Sequence, residues 1–170
     1  MQQAQKGPGV RQFKKAIILF LGILFSNSVS AQNSNSEFQR DFLKKFHYPE
    51  VLKNSCTATF ANLLIDISDD GSIEDVIISD SAPQVFKEEF SRIKDKLNFD
   101  LIKSVIIEKN LKGADIIIPI FYVYSSDYCV NSFDAVGYLE SSYFKFNSKV
   151  LQKPVYNLNP IIGLMYKPMH

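Results

Sequence analysis

Two β-rich runs stand on either side of an Asp-Gly pair: "ANLLIDIS" and "IEDVIIS" flank "DDGS" at residues 69–72. In the first run Ala61, Leu63, Ile65 and Ile67 alternate with Asn62, Leu64, Asp66 and Ser68, the pattern of a strand that buries mainly one face. Gly accepts positive φ and Asp tolerates it, so Asp70-Gly71 suits a hairpin tip. The apolar set shifts phase between Ile73 and the pair Val76, Ile78, which predicts a β-bulge just past the turn. The same residues imitate a calcium loop, with Asp66, Ser68, Asp70 and Gly71 in place. That loop needs a bidentate Glu where Ile77 stands, and helices where these flanks carry Ile and Val at period two. The sequence therefore predicts a hairpin and no calcium.

The rest of the chain is read around this hairpin. Residues 32–46 form an amphipathic helix: Ser34 and Glu37 have capping-box spacing, Phe38, Phe42 and Phe46 recur every four residues, and Pro49 ends it. After the hairpin a second helix is capped by Ser81, with Pro83 in its first turn and Phe86, Phe90, Ile93 and Leu97 on one face. The stretch 100–113 has no assigned form. "ADIIIPIFYVYSS" is a third strand, with Ile116, Ile118, Ile120, Tyr122 and Tyr124 on one face and Ile117, Phe121 and Val123 on the other. Pro119 inside it removes a ladder donor, so the strand belongs at a sheet edge with that position facing outward. The expected fold is α+β: a three-stranded antiparallel sheet, order 2-1-3, with two helices on one face.

Cys56 precedes the first strand and Cys129 follows the third, so this order brings both to the same end of the sheet. They are either bonded or buried as thiols. An exported chain favours the bond. Export is what the N-terminus suggests. Residues 1–31 hold Lys6, Arg11, Lys14 and Lys15, an apolar core at 16–25 and a Val29-Ser30-Ala31 end, the pattern of a signal peptide. The apolar run is shorter than the ~20 residues of a membrane span. No membrane span is expected after its removal. Of 19 basic and 18 acidic side chains, 15 basic ones remain once those four are gone, and this acidic balance speaks against a nucleic-acid binder.

Residues 47–126 carry a resemblance. "YPEVLKN", "IDISDDGSIEDVIISDSA" and "IIIPIFYVY", with Tyr48, Pro49, Asp70, Gly71, Ser79, Ser81, Pro119 and Tyr122 in their order and spacing, resemble the TonB C-terminal domain. The resemblance implies an envelope protein that binds an extended segment of a partner, such as an outer-membrane transporter, along the edge of its last strand. The residues of that edge are Ile116, Ile118, Ile120, Phe121, Tyr122 and Val123. No membrane anchor or Pro-rich linker accompanies it, so energy transduction is not implied.

The remaining residues, 127–170, are too apolar for a disordered tail and are expected to pack on the domain. They are candidates to close the proposed edge. His47 and His170 are the only histidines, and no HExxH or GxSxG pattern occurs. The sequence thus predicts a non-catalytic, periplasmic or secreted interaction module without metal or cofactor. A structural or accessory envelope protein sealed by its own tail is the alternative, and an enzyme with an unfamiliar site is the third reading.

Overall fold

The computed structural model describes residues 34–124, 129 and 141–166. The proposed signal peptide at 1–31 and its cleavage point lie outside them, as do residues 32–33 of the predicted first helix and residues 125–128, 130–140 and 167–170. Among the described residues no helix is long and apolar enough to cross a membrane.

The fold is α+β, but the sheet is larger than predicted and mixed. Strand β1 (Thr59–Ile67) lies between β2 (Ile73–Ile78) and β3 (Asp115–Tyr124), antiparallel to both. Thus the order 2-1-3 is present as an inner part. Two further strands, β6 (Val155–Asn157) and β7 (Ile161–Met165), then pair in parallel with β3, giving five strands instead of three. A separate two-stranded hairpin, β4 (Lys145–Phe146) and β5 (Lys149–Val150), stands apart from this sheet.

The hairpin tip forms as its chemistry demands. Gly71 takes φ +92°, and its N–H donates to the Ser68 carbonyl at 3.0 Å. Asp70 Oδ1 accepts from the Ser68 hydroxyl and the Ser72 N–H, at 2.5 and 2.9 Å. Led by the Ser68 hydroxyl, these bonds hold the Asp70 carboxyl down to about 2. In the ladder Asp66 pairs with Asp75 and Ile67 with Ile73, which leaves Glu74 as the bulged residue.

The helices pack on one face of the sheet. The first, α1, spans residues 34–45 and buries Phe38 and Phe42, with Phe46 buried just past its end. Pro49 does not end it. Instead Pro49 caps a short α2 (Glu50–Asn54), as its fixed φ of −58° allows. The helix predicted from Ser81 is α3 (Gln84–Ile93), with Pro83 as its cap. Ser81 is turned away, its hydroxyl 3.0 Å from that of Ser79. After Ile93 the chain tightens into a 3-10 turn (Lys94–Lys96). The unassigned stretch is a helix, α4 (Asp100–Lys109), which buries Ile102, Val105 and Ile106. These side chains meet Leu63, Ile65, Ile116, Ile118 and Ile120 in one core.

Expectation and structure differ again on the opposite sheet face. Leu64 is 6% exposed and Ile117 1% exposed, because the β4–β5 hairpin lays Phe146 over them. The hairpin turns through Asn147 and Ser148, both at positive φ (50° and 63°). The Asp80 carboxylate clamps that turn by accepting both N–H groups, at 3.0 and 2.8 Å. Asp80 also donates its own N–H to the Lys145 carbonyl at 2.8 Å. Cys56 and Cys129 are joined by a disulfide at the end of the sheet where Thr59 pairs with Tyr122.

Candidate functional site

Pro119 shows how the margin of the inner sheet is built. Its ladder partner is Asn62. The Asn62 N–H goes to Ser79 Oγ at 3.0 Å and its carbonyl accepts from Ser79 N–H at 2.9 Å, so Asn62 directs both backbone groups toward β2. Pro119 therefore faces away from β1, as the sequence reading required. That outer side is not open. β6 pairs with residues 115–117 of β3 and β7 with residues 120–124. Residues 158–160 bulge between them, opposite Ile118 and Pro119, where proline has no N–H to offer.

The residues predicted to form a partner-binding edge consequently lie inside a sheet. Ile116, Ile118, Ile120 and Tyr122 are buried on the core face. Phe121 and Val123 point to the other face and pair with Ile162 and Leu164. The tail segment takes the position that the resemblance gave to a partner strand. Its register is fixed by packing. Tyr122 lies directly over Gly163, where a Cβ would stand 2.3 Å from the Tyr122 ring. That ring is held in turn by Tyr48, stacked at 4.8 Å, and by Phe46 at 5.4 Å. The Tyr48 hydroxyl is anchored to the Thr57 carbonyl at 2.5 Å and lies 2.7 Å from Thr59 Oγ1. Burial of the ring pushes its phenol up to about 12. Thus the Tyr-Pro entry supports the seat of β7.

A new margin results. Among the described residues β7 pairs with β3 alone. Ile161 and Met165 are buried, whereas Ile162, Leu164 and the following Tyr166 are 52%, 58% and 65% exposed. Three large apolar side chains at spacing two thus form a row along the outermost strand. Phe121 and Phe60, with ring centroids 4.8 Å apart, continue the apolar surface inward from Ile162. Sequence reasoning missed this row. Its signal was the alternation in "IIGLMY".

The margin defines an α+β domain whose own C-terminal segment extends the sheet. Comparison of the chain with protein-family models, with curated proteins and with solved structures finds no match. Among the described residues no group of three or more His, Cys, Asp or Glu side chains is arranged to hold a metal ion.

Proposed function

We propose that the chain is a non-catalytic, exported interaction module of the cell envelope, built on a TonB C-terminal-like core and recognising an extended partner segment at β7. The observation that carries this reading is the exposed row of Ile162, Leu164 and Tyr166 on the outermost strand. An extended segment is the complement such a margin suits, since backbone groups pair along the strand and alternate side chains meet the row. The Cys56–Cys129 bond accords with an oxidising compartment. A second reading, a sealed accessory protein with no strand partner, is favoured by the pairing of β6 and β7 on β3.

A photo-crosslinking residue at Leu164 in the exported protein, in its native cells, separates the two. The expected outcome is a discrete adduct with another envelope protein, while the same probe at buried Ile118 gives none. Crosslinks confined to the chain itself would discard recognition at β7 and leave the sealed protein.

A further inference from the structure

The β4–β5 hairpin does not close completely on the sheet. Between it and the ends of β1, β2 and β3 lies a cavity of about 370 Å³. Its apolar wall includes Leu64, Ile77, Phe146 and Val150. Its other wall is acidic, and it is assembled by the ladder: Asp66 on β1 and Asp115 on β3 are direct register partners. Asp115 is 5% exposed, and its Oδ1 is buried without a hydrogen-bond donor.

The charges around this carboxyl do not balance. Lys153 Nζ is bound to Asp66 Oδ1 and donates to the Ile67 carbonyl at 2.9 Å. Glu74, the bulge residue, stands 3.9 Å from the same ammonium. Asp75 on β2 is paired separately with Lys94, at 2.7 Å. Lys149 of β5 lines the cavity as an exposed side chain. The Lys153 ammonium thus bonds Asp66, stands near Glu74 and acts on Asp115 through its field alone, while Lys149 extends into solvent. A buried acceptor without a donor is costly. An arriving cationic donor would satisfy it.

We propose that this cavity is a binding site for an organic ammonium group carried on an apolar body, such as an alkylamine or an amine-bearing side chain. The ammonium would meet Asp115 at the deep end and the alkyl part would lie against Leu64, Ile77 and Phe146. The volume falls in the range of small-molecule pockets, and an apolar wall with few convergent polar groups is their usual composition. Burial, and then the charge of Asp66, push the Asp115 carboxyl up to about 6. Binding of a cation requires the ionised form, so affinity rises as pH passes through that value.

The test is a titration of the disulfide-bonded, ¹⁵N-labelled protein with n-hexylammonium, 1-hexanol and hexanoate, followed by amide chemical shifts. At pH 7.5 hexylammonium is expected to give saturable shifts at Ile77, Asp115, Phe146 and Val150. Hexanol should bind at least tenfold more weakly and hexanoate not at all. Asp115→Asn should weaken hexylammonium tenfold or more while shifts elsewhere stay unchanged. The unsubstituted protein should lose a similar factor between pH 7.5 and pH 4.5. Hexylammonium binding no tighter than hexanol, equal binding by D115N, or no saturable shift in the cavity would each overturn the proposal. The alcohol and pH comparisons need no variant, so they hold even where D115N fails to fold.

Discussion

Burial changes what a carboxyl does, and Asp115 carries that change into stability. Its carboxyl is raised from 3.8 to about 6, first by burial and then by Asp66. Between these two values the folded chain holds a proton that the unfolded chain has released. The resulting contribution to stability is fully present below 3.8 and is lost as pH rises through about 6. A shift of this size corresponds to at most about 3 kcal/mol, and water at the cavity mouth reduces it toward ~1–2 kcal/mol. Asp115→Asn keeps the shape and removes the charge. Its melting temperature relative to the unsubstituted protein should rise steadily from pH 4 to pH 7 and then level off. A difference that stays constant over that interval would show that Asp115 titrates as an exposed carboxyl.

At the scale of elements, the margin of the sheet depends on one glycine. Gly163 has no side chain where the Tyr122 ring lies, and Tyr48, Phe46 and Phe86 surround that ring at centroid distances of 4.8, 5.4 and 6.0 Å. The ring has little room to move, so Gly163→Ala must push β7 off β3 or disturb the aromatic cluster. Overpacking of this kind costs about 1–3 kcal/mol. Denaturant unfolding should show that loss, and amide exchange should accelerate first in Ile161–Met165. A variant as stable as the parent, with unchanged exchange in β7, would mean that the seat is looser than the packing implies. The same elements show what sequence can and cannot reveal. The β1–β2 hairpin, its bulge and the Phe stripe of α1 were legible because turn chemistry and periodicity are local. α4 was not, because its Ile and Val run suits a strand equally well and only Ile102, Val105 and Ile106 carry the helical spacing. β6 and β7 are short and separated by Pro160, and their parallel pairing with β3 is a choice of distant partner that no local pattern records. The Asp66–Asp115 wall was hidden for the same reason: it exists only once β1 and β3 are in register.

For the whole molecule, the question is what joins the tail to the body on which it completes the sheet. β3 ends at Tyr124, whose hydroxyl donates to the Lys53 carbonyl of α2 at 2.7 Å. The disulfide then ties Cys129 to Cys56, just beyond α2, with Cα atoms 5.3 Å apart and a sequence separation of 73. Two ties, one covalent, thus hold the chain at the end of the sheet before it returns as β4 to β7. In the chain-entropy account, a loop of this length stabilises the fold by about 4 kcal/mol through restriction of the unfolded state. The native contacts of β6 and β7 do not depend on the bond directly, since their partners are β3 and the core beneath it. Replacing both cysteines by serine should therefore lower unfolding stability by roughly 4 kcal/mol in urea. The denaturant slope should rise, because the unfolded chain freed of the cross-link exposes more surface. Amide exchange in β7 should accelerate to the same extent as in β1, which marks a global rather than a local loss. A double variant within about 1 kcal/mol of the parent would sink the entropic account. Selective opening of β7 alone would instead make the bond a local clamp on the tail.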